Sequence, residues 1–154
     1  VRLLLDTNVL APLCHPAKGE NYLLAQWVES LLRFRRRDLV VYVPAISDYE
    51  LRRGLHHVAL KHGRSTTRSL QRLDRLSREL DYLPIRRETL EQASRLWADA
   101  RHAGKQTSAP HSLDGDVILA AQAIEVDGVV VTENLSHLSR FVTSYRWHEL
   151  PLRS

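Results

Sequence analysis

A chain of 154 residues has room for one domain of ordinary size and not for two. With 44% hydrophobic and 26% charged residues it lies in the globular range, which excludes disordered and fibrous classes. The formal charge is +4, and 19 of the 22 basic residues are Arg, a bias that suits a polyanionic partner and that a GC-rich genome would also produce. Cys14 is alone, so neither an intramolecular disulfide nor a thiolate zinc site is available, and a reducing cytoplasm is the expected compartment. No apolar run reaches the ~18 residues of a membrane-spanning helix and no secretory signal opens the chain, so no membrane partner is expected.

Leu3-Leu4-Leu5 predicts a buried strand that stops at Asp6, with Thr7 and Asn8 in a polar turn. Helical spacing follows from Glu20 to Arg37. There Leu23, Leu24, Trp27, Val28, Leu31 and Leu32 form one stripe, and Arg33, Arg35, Arg36 and Arg37 suit the negative pole of the helix. Leu39 to Val43 predicts a second strand, closed by Pro44, and a helix from Ala45 to His57 carries Glu50. Lys61 to Arg64 reads as a loop and Ser65 as the N-cap of the next helix. That helix has Leu70, Leu73, Leu76 and Leu80 on one face and Arg68, Arg72, Arg75 and Arg78 on the other.

A short strand over Tyr82 to Ile85 leads to an amphipathic helix over Glu88 to His102, with Leu90, Ala93, Leu96 and Trp97 turned inward. Ala103 to Ser112, with Gly104 and Pro110, reads as a loop. A last long helix begins near Asp114 and ends at Gly128, and Val129-Val130-Val131 is a buried strand that stops at Thr132-Glu133-Asn134. A short helix and a strand near Tyr145 to Trp147 close the chain. This alternation predicts an α/β fold, a three-layer sandwich in which helices flank a mainly parallel central sheet, with one domain over 1–154.

Sheets of this kind bind ligands outside the carboxyl ends of their strands. Asp6 and the Thr132–Asn134 segment fall at such ends, Glu50 lies on the helix after the second strand, and Asp114 and Asp116 open the last long helix. Each has a plain structural reading too: a turn former at Asp6, an N-cap at Asp114, a first-turn acid at Asp116, and an ion pair of Glu50 with Arg53. Carboxylates that share a site repel unless something neutralises them, and Mg²⁺ does so with oxygen ligands and retained waters. There is no GxxxxGK[ST] loop, no GxGxxG and no HExxH. The eight histidines are expected to be surface or partly buried imidazoles.

Three segments, LLLDTNVL, PAISDYELRRGL and LDGDVILAAQAIEVDGVVVTEN, together resemble in order and spacing the PIN-domain nucleases, and the size suits the compact VapC-type toxins of toxin–antitoxin pairs. The resemblance implies a PIN-like sandwich and a Mg²⁺- or Mn²⁺-dependent endoribonuclease acting on RNA. Carried over by position, Asp6, Glu50 and Asp116 are its metal-site acids, Asp114 an additional acid, and Thr132 and Asn134 its last polar residues. It also implies a small antitoxin partner and a homodimer. Asn134 is a departure from members with Asp there, for which Asp114 is the compensating acid, and it keeps open an alternative: a non-catalytic PIN-like module that binds RNA or protein.

Overall fold

The structure, a computed structural model, describes residues 1–33, 38–104 and 110–151. The expected cluster Arg35–Arg37 and positions 105–109 of the expected loop lie outside the described residues. Five strands form one sheet: β1 (Arg2–Leu5), β2 (Val40–Pro44), β3 (Asp81–Leu83), β4 (Val129–Val131) and β5 (Ser144–Tyr145). Their order is β3-β2-β1-β4-β5, and every neighbouring pair is parallel. The mainly parallel sandwich expected from the alternation is what forms.

Side chains alternate across β1, so its three leucines serve two cores. Leu3 and Leu5, with Val41, Val43 and Val131, pack against Leu10, Leu24, Val28, Leu55 and Leu73. Leu4 and Val130 face the other way, onto Leu119, Ala123 and Leu138. The first face is covered by α1 (Thr7–Leu13), α2 (Asn21–Arg33), α3 (Ala45–His62) and α4 (Thr67–Glu79); the second carries α6 (Pro110–Glu125) and α7 (Leu135–Leu138). The remaining helix, α5 (Arg87–His102), packs on α6 through Ala93 against Leu113, Val117 and Ala121.

Several local expectations are corrected. The polar turn after Asp6 is a helix, α1, with Asp6 as its N-cap and Val9, Leu10 and Leu13 buried. Helix α3 runs to His62 rather than His57 and stops where Gly63 takes the left-handed conformation (φ 60°) that ends many helices. Its last turns bury nothing, Leu60 being 86% exposed, which is why hydrophobic spacing stopped short. Ser65 lies outside the helix it was to cap, and Thr66 occupies the cap position. Strand β3 starts one residue earlier and ends two earlier than expected, and Trp147 begins a 3₁₀ turn and stacks near Trp27. Leu23, Leu90 and Trp97, expected inward, are exposed.

The start of α6 matters most for function. It begins at Pro110, not near Asp114, so neither acid caps the helix or sits in its first turn. Proline belongs at a first helical position, where its missing N–H costs no bond and its fixed φ suits the helix.

Candidate active site

The chain crosses from one half of the sheet to the other between β1 and β4, leaving a crevice at their carboxyl ends. Asp6 stands there. Its amide extends the ladder to the Val131 carbonyl (3.0 Å), its own carbonyl accepts from Val9 and Leu10 (2.9 Å each), and Oδ1 accepts the Thr7 amide at 2.7 Å. One residue thus ends a strand, starts a helix and presents a carboxylate.

Thr132 occupies the matching position after β4 and is fully buried. Its hydroxyl donates to Asp6 Oδ2 at 2.7 Å and accepts from Asn8 Nδ2 at 3.3 Å and from the Asn134 amide at 2.9 Å. The two nitrogen partners can only donate, so the single hydroxyl hydrogen must go to Asp6. The Asn8 amide is oriented by the Glu133 N–H, which donates to Asn8 Oδ1 at 3.1 Å. Burial pushes the Asp6 pKa up, while the bonds from Thr132, the Thr7 amide and Asn8 favour its ionised form.

Glu50 reaches the same crevice from α3. Thr7 Oγ1 donates to its Oε1 at 3.2 Å, and Arg53, its expected partner, lies 3.7 Å from Oε2. Burial raises the Glu50 pKa; the Thr7 bond opposes this, the charge on Asp6 adds to it, and Arg53 lowers it. The carboxylate lies against Gly115 of α6: a Cβ there would stand 2.9 Å from Oε2 and 3.2 Å from Cδ. Sequence reasoning passed over Gly115, although a glycine inside a helix costs about 1 kcal/mol and so signals a packing reason.

Asp116 follows Gly115 on α6. Its pKa is pushed up to about 6, first by burial, then by the charges of Asp6 and Glu50, against the lowering influence of His137 and Arg140. Its Oδ2 is buried with no hydrogen-bond partner among the described residues, and His137 Nδ1 stands 3.6 Å from it. His137, on α7, is a second residue that sequence reasoning missed, because a lone imidazole in a short helix carries no spacing signal.

Asp114 stands apart from this group, and Asn134 joins it through its main chain. Asp114 is exposed and lines an open apolar groove between α5 and α6, with Leu90, Ala93, Trp97 and Val117. Asn134 contributes its backbone: the amide reaches Thr132, and its carbonyl accepts from His137 (3.3 Å) and Leu138 (3.4 Å) at the start of α7.

A buried carboxylate oxygen with no donor, beside two more acids, fits a hard divalent cation. Among the described residues no three Asp, Glu, His or Cys side chains close into a ligand cage. A Mg²⁺-like ion needs only one or two carboxylates and fills its other positions with water.

A family model for the PIN domain matches residues 3–141. The chain belongs to the PIN-domain family. Solved structures that resemble this PIN domain include VapBC-1 from nontypeable Haemophilus influenzae (TM-score 0.70, 16% identity, 97% of this chain and 100% of that one). FitAcB from Neisseria gonorrhoeae gives a TM-score of 0.69 at 22% identity, over 96% of this chain and 99% of that one. VapBC2 from Rickettsia felis, bound to a DNA fragment from its promoter, gives 0.71 at 16% identity over 96% and 99%. At these identities the likeness is one of fold. Among curated proteins no sequence relative matches. Among the described residues of this PIN domain, no helix is long and apolar enough to cross a membrane.

Proposed function

We propose that this PIN domain is a Mg²⁺- or Mn²⁺-dependent endoribonuclease, the toxin of a VapBC-type pair. The reading carries with it a small antitoxin partner and a homodimer. The observation that supports the nuclease most is the unpartnered, buried Asp116 Oδ2 beside Asp6 and Glu50 at the sheet's switch point. The likeness to chains from VapBC and FitAB complexes supports the antitoxin partner.

In this reading Asp6, Glu50 and Asp116 hold the ion, directly or through water. When bound, such an ion lowers the pKa of a water and offsets charge on a phosphodiester. The chain's own contribution is preparation. Thr132 commits its one proton to Asp6 and keeps that carboxylate able to accept a cation. Thr7 and Gly115 fix Glu50 from two sides, one by a hydrogen bond and one by leaving room. Without a cation these acids repel phosphate, so the Arg-rich surface supplies the sequence-independent attraction to RNA.

The test compares wild type, Asp6→Asn and Asp116→Asn for RNA cleavage in Mg²⁺ or Mn²⁺ and in chelator. Both variants should lose cleavage by orders of magnitude while remaining folded, and wild type should stop in EDTA. Equal cleavage by all three would remove the site. Folded wild type that binds RNA but never cuts it would favour the binding module to which Asn134 points.

A further inference from the structure

We propose that His137 is a nitrogen ligand of the cation held at Asp116, so that the site prefers Mn²⁺ over Mg²⁺; this rests on the nuclease reading above. The geometry departs from that of an ordinary ion pair. Nδ1 stands 3.6 Å from Asp116 Oδ2, whereas a charge-assisted hydrogen bond closes to about 2.7–2.9 Å. The oxygen facing it is buried and has no other partner, so the imidazole leaves it unsatisfied. Two atoms that share one ion at ~2.1 Å lie about 3.0–3.4 Å apart, close to the observed separation.

The main chain that carries the imidazole is held from its own side of the gap. The His137 amide donates to the Asn134 carbonyl (3.3 Å), its carbonyl accepts from Arg140 Nε (3.0 Å), and the adjacent Leu138 is 1% exposed in the core. Helix α7 therefore fixes the backbone from which the ring reaches the acid, and Nδ1 is the ring nitrogen that faces it. Asp6 and Glu50 bear on the same acid from the other elements.

Ligand chemistry then decides the metal. Carboxylates and water suit Mg²⁺ and Mn²⁺ alike, but imidazole binds Mg²⁺ poorly and ions further along the first transition row well. A counter-ion role makes the opposite forecast, because removing a positive neighbour from Asp116 would strengthen binding of every divalent ion.

The experiment measures Mn²⁺ and Mg²⁺ binding calorimetrically on wild type, His137→Ala and His137→Asp. The Mn²⁺ electron spin echo is recorded for ¹⁴N modulation, and folding is checked by thermal melting. We expect nitrogen coupling in wild type and none in His137→Ala, with Mn²⁺ affinity down about tenfold or more and Mg²⁺ affinity within about twofold. His137→Asp should restore binding through oxygen and erase the preference for Mn²⁺. Tighter binding of both ions by His137→Ala, or wild-type Mn²⁺ without nitrogen coupling, would overturn the assignment. Nitrogen coupling in a protein that cuts no RNA would keep His137 as a ligand and discard the nuclease; no divalent binding by wild type would discard both.

Discussion

Gly115→Ala separates what the site needs from what the fold needs. Inside a helix this exchange stabilises by roughly 0.5–1 kcal/mol, because alanine has less backbone freedom to lose. Here the new methyl would stand 2.9 Å from Glu50 Oε2 and 3.3 Å from Oε1, against ordinary separations of about 3.5 Å. The obstacle is the end of a flexible side chain, so it yields by roughly half an ångström at a rotamer cost of about 0.5–1.5 kcal/mol. Helix gain and rotamer cost nearly cancel, and the melting temperature should move by only a few degrees. Activity should not cancel. A displacement of about 1 Å in a reacting group can cost ~100-fold, so the Glu50 shift should lower cleavage and divalent affinity by about tenfold. Gly54→Ala is the control: it lies within α3 with nothing within 4 Å of its would-be Cβ, so it should stabilise by roughly 0.5–1 kcal/mol and leave cleavage intact. Full cleavage by Gly115→Ala, with the same stabilisation as Gly54→Ala, would refute the claim that this glycine seats Glu50.

The raised Asp116 pKa makes a signed forecast. For an acid lifted from 3.8 to about 6, the folded state binds the proton more tightly, so stability present below pH ~4 is lost as pH rises through 6, on the order of 2–3 kcal/mol in metal-free protein. Asp116→Asn should make that slope shallower in melts run from pH 4 to 8, what remains coming from the raised Asp6 and Glu50, and an unchanged slope would place its origin elsewhere. Thr132→Val should cost about 2–4 kcal/mol, read from denaturant midpoints, because it strands the Asn8 and Asn134 donors and unclamps Asp6; Thr132→Ser should recover most of it. Along α4, Arg72 donates to the Cys14 carbonyl at 2.8 Å and Arg75 pairs with Glu79. Arg72→Gln should therefore lower stability by about 1–2 kcal/mol, while any loss of RNA salt-dependence, about 0.7 in log–log slope per phosphate contact, should come from Arg68→Gln.

The acids were legible because strands that end on carboxylates leave a mark in sequence: an apolar run cut off at Asp6, another at Thr132. The sheet then had only to make both strands central for those ends to meet. What stayed hidden involved competing uses of one residue. Asp6 reads as a turn former, yet the same side chain that ends β1 caps α1, and the short apolar spacing of Val9, Leu10 and Leu13 is too brief to assert a helix. Pro110 reads as a loop marker and is a helix start, which shifted Asp114 and Asp116 from the head of α6 to its interior. Leu90 and Trp97 keep helical spacing but are exposed, since α5 packs on α6 through Ala93 and leaves them on the rim of an open groove. His137 and Gly115 gain meaning only once distant segments are beside them.

The clamp between Asp6 and Thr132 joins residues 126 positions apart. At roughly 5–20 residues per second, translation takes about 6–25 s to travel from one to the other. During that interval β1 has no β4 beside it and Asp6 has no Thr132 hydroxyl to accept from. On the nuclease reading proposed above, a chain still being made would therefore lack the complete site. On that reading the site is assembled only once β4 has paired with β1.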